Sequence, residues 1–309
     1  MRMTEPVLVT GAGGFIGRHL VRALAQRGQP VLAMGRRIEG TAPAGVETVD
    51  AGATDPAVFA PLLARSSAVV HLASVSTPGS SAGRPLAELD NLRLCLALLE
   101  ALQAHPHVPL LYVSSGGTLY GDSAHGQAQE ARPLHPKSYY GAGKASAEHF
   151  IDAWCSQYGG SATVLRPSNV YGPGQSERPG FGIVPGAMGK LLRGEPLTVW
   201  GDGSAQRDYL YIDDFVALCL AALDAPMPRG MRVFNAASGI GTSLGALLET
   251  IETVAGRALA RVNAPQRSVD VSHIALDTSR AREAYGWAAA TPLAEGIRRT
   301  WAWFASSPR

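Results

Sequence analysis

Tyr140 and Lys144, which lie four residues apart, are the side chains of this sequence whose types and spacing most directly offer chemistry. They belong to the stretch SYYGAGK at 138–144, at the start of a run with a helical pattern. On a helix this spacing places both side chains on one face. A phenol, with a pKa near ~10, is a poor base at neutral pH, but a nearby cation favours the phenolate and lowers that pKa. The pair predicts that Tyr140 takes a proton from an alcohol and that Lys144 activates it.

A glycine-rich turn near the N-terminus offers a second kind of chemistry. The apolar run VLVT at 7–10 leads into GAGGFIG at 11–17 and then into an amphipathic segment, a pattern that predicts a strand, a turn and a helix. Small residues let the backbone approach a pyrophosphate, and the N–H groups at a helix start attract that anion. Gly11, Gly14 and Gly17, together with Phe15 and Ile16, therefore predict a cofactor site for a dinucleotide.

The residues after the second predicted strand bear on which nicotinamide cofactor is bound. In NAD sites an acidic residue about 18–20 positions beyond the last glycine usually holds the adenosine ribose. Here that place reads Gly35, Arg36 and Arg37. Arginine can accept the 2′-phosphate of NADP, so the local chemistry favours NADP. The alternative is that both arginines are solvated loop residues.

Alternating segments around these motifs indicate the elements that must position them. Short apolar runs predict strands at 31–34, 46–49, 68–72, 110–113 and 163–166. Helical patterns lie between them at 56–64, 85–104 and 138–158. Repeated β-α units imply a parallel sheet that is covered on both faces. We predict an α/β fold built on a Rossmann-type doubly wound parallel sheet, with residues 1–170 as the dinucleotide-binding domain.

The regular alternation of strand and helix patterns ends at Pro167, and glycine-proline pairs interrupt the chain as far as residue 186. Helical patterns return at 212–223, 244–255, 278–285 and 292–304. We predict a smaller C-terminal α/β substrate-binding region over residues 171–309. This region is expected to be discontinuous, because a strand near 231–236 would return to the first sheet.

Composition limits the class of partner. The 309 residues carry a net charge of +2 without a run rich in lysine and arginine, which argues against nucleic acid and membrane as partners. No apolar segment reaches ~18 residues and the N-terminus lacks a signal-peptide pattern, so a cytoplasmic location is expected. Cys95, Cys155 and Cys219 are widely spaced among apolar neighbours, and predict buried thiols rather than disulfides or a metal site.

Three motifs together resemble the extended short-chain dehydrogenase/reductase family, and within it the nucleotide-sugar epimerases of the UDP-glucose 4-epimerase type. They are the glycine turn, the segment SSGGTLYG at 114–121, and Tyr140 with Lys144. The segments LRPSNVYGPG at 165–174 and WGDGSAQRDY at 200–209 are similar to substrate-side signatures of the same family. The likeness therefore covers nearly the whole chain.

The resemblance implies a redox epimerisation. Tyr140 resembles the catalytic base, which takes the proton of the sugar 4-hydroxyl while C4 passes a hydride to the nicotinamide. The 4-keto sugar then turns over and receives the hydride on its opposite face. Lys144 resembles the residue that binds the nicotinamide ribose and lowers the pKa of the tyrosine. NAD is the implied cofactor, with NADP as the alternative that Arg36 and Arg37 suggest, and no metal is required.

The resemblance also implies a substrate site for a nucleoside-diphosphate sugar, with a UDP-sugar expected. Asn169 resembles a residue that lines the sugar pocket. Arg207 and Arg267 resemble the two arginines on the diphosphate, and Asp270 the partner of the nucleotide ribose. Planar guanidinium groups suit phosphate oxygens because they can bind two of them at once.

The chain departs from the family at the hydroxyl residue that assists the tyrosine. A Ser or Thr usually stands four residues before the tyrosine of the Tyr-Gly pair, whereas this sequence has Gly116 there. We therefore expect Ser115 or Thr118 to supply the catalytic hydroxyl.

Other departures concern binding. Ser76 replaces an epimerase-type lysine, and the Asp that holds the adenine is shifted or lost in the segment DAGATD at 50–55. Gly182 stands where the pocket asparagine would be. Ile274 replaces a tyrosine that excludes acetamido sugars in some members, so N-acetylated substrates are expected to fit.

Three rival functions remain open. An NADP-dependent 4-keto-sugar reductase agrees with Arg36, Arg37 and the altered hydroxyl site. A 4,6-dehydratase needs an acidic pair directly after the catalytic Thr, which Gly116 and Gly117 do not offer. A non-enzymatic nucleotide-binding sensor would not need the intact Tyr140 and Lys144 pair.

A homodimer is also expected. The helices predicted at 85–104 and 138–158 carry more apolar residues than one sheet face needs. In this family such a pair resembles half of a four-helix bundle that a second copy completes.

Overall fold

The computed structural model describes residues 5–35, 42–50, 55–122, 126–178, 181–265 and 271–306. The strands are β1 (Val7–Thr10), β2 (Val31–Met34), β3 (Val46–Val49), β4 (Ala68–His71), β5 (Leu110–Val113), β6 (Ser161–Pro167), β7 (Asn169–Tyr171), β8 (Leu197–Trp200), β9 (Gln206–Tyr211), β10 (Gly230–Ala236), β11 (Gly241–Ser243) and β12 (Arg261–Ala264). The helices are α1 (Phe15–Gln26), α2 (Pro56–Leu63), α3 (Ala87–Leu102), α4 (Gly116–Leu119), α5 (Tyr139–Tyr158), α6 (Ile183–Arg193), α7 (Ile212–Asp224), α8 (Leu244–Ala255), α9 (Ser279–Tyr285) and α10 (Leu293–Ser306).

A seven-stranded sheet in the order β10-β6-β5-β4-β1-β2-β3 organises the molecule. All of its strand pairs are parallel. Strand β10 pairs with β6 and places Val233 opposite Val164, so the strand predicted near 231–236 does return to this sheet. The predicted α/β fold with a Rossmann-type parallel sheet is confirmed.

Both faces of this sheet are buried, which explains why its strands read as continuous apolar runs. Val7 and Val9 belong to a core that also contains apolar residues of α1 and α7. Leu8, between them, belongs to a second core with residues of α2, α3 and α5. Successive side chains of a strand point to opposite faces, so one short run supplies both cores.

Smaller sheets lie outside the main one. Strands β11, β9 and β7 form a three-stranded sheet, and β12 pairs with β8. The division of the chain into domains at residue 170 stays a prediction. Among the described residues, no helix has the length and apolar character needed to cross a membrane. Cys95, Cys155 and Cys219 are buried free thiols, as predicted.

Helix α6 corrects the interpretation of Pro185 and Gly186 as an interruption of the chain. Pro185 is the third residue of this helix, where a missing N–H costs no intrahelical hydrogen bond. Gly189 is required inside it, because an added Cβ would overlap the carboxylate of Glu177. That carboxylate pairs with Arg193 in the last turn of the helix. Tertiary packing, which the local pattern does not reveal, therefore accounts for the glycine.

Candidate functional site

The glycine turn after β1 has the shape that close backbone approach requires. Gly11 has φ +71°, and a Cβ there would lie 2.7 Å from the backbone nitrogen of Ala73, just beyond β4. A Cβ on Gly17 would overlap the carbonyl oxygen of Gly11. Gly14 is the N-cap residue of α1, and because it has no side chain it leaves the first backbone N–H groups of the helix uncapped. The turn therefore fits the pyrophosphate of a dinucleotide.

The other predicted cofactor residues divide into two groups. Phe15 is buried in the core, so it can serve the cofactor through its backbone N–H group, whereas Ile16 is only partly buried against that core. Arg36 and Arg37 lie outside the described residues. Metal ligands were not predicted, and the described residues contain no group of three or more His, Cys, Asp or Glu side chains able to hold a metal ion.

Tyr140 and Lys144 lie in the first turns of α5, near the carboxyl ends of the parallel strands. Ser138 caps the helix by accepting a hydrogen bond from the backbone N–H of Gly141 at 3.1 Å. The Lys144 ammonium donates to the carbonyl oxygen of Val113, the last residue of β5, at 3.0 Å. Its Nζ atom lies 5.9 Å from the centre of the Tyr140 ring. The structure thus brings the predicted pair together at the edge where α/β sheets bind ligands.

Burial sets the pKa values of this pair. It lowers the pKa of Lys144 to about 8. It also raises the pKa of Tyr140, and the carboxylate of Glu88 raises it further. Desolvation disfavours the charged form of each group, a phenolate as well as an ammonium. In the protein without its cofactor, burial and Glu88 therefore outweigh the lowering of the Tyr140 pKa expected from Lys144, and that effect of Lys144 stays a prediction.

The hydroxyls of Ser115 and Thr118 belong to the segment that packs on the first turn of α5. Thr118 donates to the Ser115 oxygen at 2.9 Å. The Thr118 carbonyl oxygen would lie only 2.6 Å from a Cβ on Gly141, so α4 packs directly on the first turn of α5. At Gly116 a Cβ would overlap the side chain of Leu276 and lie 2.7 Å from a backbone oxygen. A serine or threonine does not fit at 116, and the two neighbouring hydroxyls are the available ones.

Asn169 and Arg207 lie on paired strands, β7 and β9. Asn169 donates through Nδ2 to the carbonyl oxygen of Asp208 at 2.9 Å. The Asp208 carboxylate is buried and accepts from Ser168 at 3.1 Å and from the backbone N–H and hydroxyl of Ser238 at 2.9 and 2.8 Å. Asp208 therefore fixes the segment that presents Arg207. Sequence reasoning did not single it out, although it follows Arg207 in the WGDGSAQRDY motif.

A cavity of about 260 Å³ opens beside these strands. Its lining includes Asn169, Trp200, Arg207, Tyr209, Leu244 and Ser272. Trp200 is 44% exposed and offers an aromatic surface that sequence reasoning did not assign to the site. Arg267 and Asp270 lie outside the described residues.

Two departures from the family have a structural explanation. Gly182 has φ +95°, a conformation that an asparagine adopts with strain, and a Cβ there would lie 3.1 Å from the Gln175 side-chain nitrogen. Ile274 is almost completely buried in a cluster with Tyr120 and Leu276. Because Ile274 faces this core, it gives no direct support to the expectation that N-acetylated sugars fit.

Comparison with known proteins decides the family. The model described as the NAD dependent epimerase/dehydratase family matches residues 7–237. The chain belongs to this family. It is 33% identical over 304 residues to the UDP-glucose 4-epimerase of Mycolicibacterium smegmatis, covering 95% of this chain and 96% of the relative.

Solved structures of family members agree. The UDP-glucose 4-epimerase of Thermotoga maritima, in complex with UDP-glucose, has a TM-score of 0.90 at 31% identity and covers 97% of this chain and 98% of that one. The UDP-glucose 4-epimerase of Thermus thermophilus, in complex with NAD, has the same TM-score and identity and covers 98% of this chain and 100% of that one. The predictions of an enzyme of this family and of NAD as its cofactor are confirmed.

Proposed function

We propose that this chain is a UDP-sugar 4-epimerase, in which Tyr140 and Lys144 act on the sugar and the cavity beside Arg207 holds the nucleoside diphosphate. The observation that carries the proposal is the position of Asn169. Its amide nitrogen would lie 3.7 Å from a Cβ on Gly117, next to the hydroxyls of α4, and the residue also lines the cavity. A sugar at the catalytic pair can therefore remain attached to a diphosphate in the cavity.

Each of the predicted site residues has a separate role in the proposed reaction. NAD, when bound, would supply the group that exchanges a hydride with C4 of the sugar. Tyr140 takes the proton of the 4-hydroxyl and gives it back, while Lys144 holds the nicotinamide ribose. The Thr118 hydroxyl donates to Ser115, which orients the Ser115 hydrogen toward the sugar oxygen. Gly11 and Gly17 leave room for the pyrophosphate at the start of α1.

The structure favours epimerisation over the dehydratase alternative at one position. A 4,6-dehydratase needs acid and base groups directly after the catalytic hydroxyl, and these places are Gly116 and Gly117. Gly116 is packed too tightly for any side chain. The reductase alternative differs in its use of the cofactor, because a reductase consumes one reduced cofactor per turnover whereas an epimerase regenerates NAD.

Proton NMR of the product tests the proposal. The protein is incubated with UDP-glucose, and separately with UDP-N-acetylglucosamine, in the presence of a trace of NAD. Growth of the C4-epimer signals to an equilibrium ratio supports the proposal. Stoichiometric use of NADPH with a 4-keto sugar, or release of water to give a 4-keto-6-deoxy sugar, would replace it with the reductase or the dehydratase.

Arg207→Ala should raise KM for the UDP-sugar about 10-fold to 100-fold, with little change in bound cofactor. The guanidinium lies at the cavity, and a charge-assisted hydrogen bond is worth roughly 1.5–3 kcal/mol. Steady-state kinetics and calorimetry with UDP measure the effect. Arg298→Ala, at an exposed position of α10, is the control. Unchanged affinity for UDP in the Arg207 variant would remove this arginine from the diphosphate site.

A homodimer is proposed through the outer faces of α3 and α5. Leu89 on α3 and Phe150 on α5 are 55% and 47% exposed, although both helices already cover the sheet. Two such helices from each copy would form a four-helix bundle. Light scattering should give twice the chain mass of 32.3 kDa, and Leu89→Arg with Phe150→Arg should give the monomer. A wild-type monomer at micromolar concentration would contradict the proposal. The cytoplasmic location stays a prediction.

A further inference from the structure

A buried carboxylate on α3, that of Glu88, packs against the catalytic helix. Its Oε1 accepts a hydrogen bond from the Ser76 hydroxyl at 2.7 Å, and its Oε2 accepts from the Asn91 amide at 2.9 Å. Asn91 also donates to the Ser76 oxygen. A Cβ on Gly143 would lie 2.7 Å from Oε2, so this carboxylate touches the backbone of the residue that precedes Lys144.

The partners of Glu88 are neutral, and so is the hydrogen-bond partner of Lys144. Glu88 is 6% exposed and is held by a hydroxyl and an amide. Lys144 is 8% exposed and donates to a carbonyl oxygen. Charges buried in this way are stable only if an opposite charge lies near. The Glu88 carboxylate lies against the backbone of Gly143, next to Lys144, and its charge favours the ammonium form of Lys144.

None of the other titratable groups that face the catalytic pair in the described part of the chain supplies a free negative charge near Lys144. They are His71 from β4, Tyr112 from β5, Cys95 from α3 and Glu148 from α5. Burial lowers the pKa of His71 to about 3 and raises that of Cys95 to about 12. Burial also raises the pKa of Tyr112. These three are neutral near pH 7, and Glu148 is bound to Arg166 at 2.6 Å.

Ser76 is part of the same arrangement. The family resemblance placed a lysine at this position, and an ammonium there would neutralise the neighbouring carboxylate. The Ser76 hydroxyl instead holds the Glu88 carboxylate in place and leaves its charge to act on α5. With Ser76 in place of the expected lysine, the charge of the Glu88 carboxylate is not neutralised by a neighbour at position 76.

We propose that Glu88 is a positioning residue of the active site, whose carboxylate is fixed by Ser76 and Asn91 and balances the ammonium of Lys144. It acts through Lys144 and Tyr140 and does not touch the substrate. Removal of its charge disfavours the ammonium and relieves the phenolate of repulsion. Both groups should then lose their protons at lower pH.

A first test measures Lys144 directly and needs no catalysis. The chain contains three lysines, at 137, 144 and 190, so the NMR signals of ¹³C-labelled lysine side chains are few, and Lys144→Met assigns one of them. Glu88→Gln should lower the pKa of Lys144 by about one unit. Glu100→Gln removes the same charge from an exposed position of the same helix and should leave it unchanged. An unmoved Lys144 titration in the Glu88 variant would overturn the proposal.

A second test rests on the proposed function, because it follows epimerisation. Both limbs of the kcat/KM profile against pH should move to lower pH by about one unit in Glu88→Gln. A purely structural role would lower the height of the profile without moving its limbs, and would contradict the proposal. Absence of epimerisation in the wild-type protein would instead refute the proposed function, and the lysine titration would still decide the role of Glu88.

Discussion

A Tyr140→Phe variant should bind NAD normally and lose turnover by about 10²–10⁴-fold, the range that a positioned base contributes. The substitution removes one oxygen and almost no volume, so the first turn of α5 should stay intact. The loss should appear in kcat, with little change in KM, because the phenol acts in the transition state rather than in binding. Single-turnover measurement of NADH formation from bound NAD and UDP-glucose reports hydride transfer separately from product release.

The adjacent residue provides a matched control. Tyr139 is half-exposed and begins the same helix, so Tyr139→Phe makes the identical chemical change one position earlier. This control should retain the activity of the wild-type protein. If Tyr140→Phe stayed within threefold of the wild-type kcat, the redox mechanism would fail and a nucleotide-binding protein without catalysis would become the better account.

For Tyr140 to act as a base near neutral pH, its pKa must be lowered in the active complex. A shift from ~10 to near 7 needs about 4 kcal/mol, because one unit is worth 1.36 kcal/mol. Burial and Glu88 act in the opposite direction. The charge of Lys144 and the positive charge of oxidised nicotinamide must therefore together exceed both effects. In Lys144→Met the essential base should titrate at higher pH than in the wild-type protein, and the affinity for NAD should fall.

Local patterns were sufficient for the parts of this fold that depend on neighbouring residues. The strand and turn at 7–17 and the Tyr140 and Lys144 pair each lie within one short segment, so spacing alone identified them. Helix α6 was not predicted, because proline and glycine usually interrupt a helix. Pro185 is tolerated by its position in the first turn, and Gly189 is required by the packing of Glu177, which local sequence does not reveal.

The counter-charge of the catalytic pair could not be predicted for a related reason. Glu88 and Lys144 are separated by 56 positions, and the Glu88 carboxylate lies next to the helix turn of Lys144 only because α3 and α5 cover the same sheet face. Likewise, a serine or threonine cannot replace Gly116 because its Cβ would overlap the side chain of Leu276, which is 160 positions away in the sequence. Charge and steric fit between distant segments are properties of the packed molecule.

Arg166→Met should destabilise the protein by about 3–5 kcal/mol, the cost of leaving a buried charge without its partner. The Arg166 guanidinium in β6 donates through Nε and Nη2 to the Glu148 carboxylate in α5, with Nη2 at 2.6 Å. Through Nη1 it donates to the Tyr120 hydroxyl at 2.8 Å. Burial raises the pKa of Tyr120 to about 12, so this hydroxyl keeps its proton and donates to Asn235 in β10 at 2.7 Å. One arginine therefore connects the sheet, the catalytic helix and the end of the SSGGTLYG segment.

Urea unfolding with matched variants separates charge from packing. Arg166→Met and Glu148→Gln each break the pair, whereas the double variant Arg166→Met with Glu148→Leu removes both charges and should recover part of the lost stability. Arg65→Met breaks an exposed pair with Glu47 and should leave the urea midpoint nearly unchanged. Because Glu148 lies one turn after Lys144, the destabilised single variants should also show a higher KM for NAD. A double variant less stable than either single one would show that the charges themselves stabilise the fold, contrary to the desolvation argument.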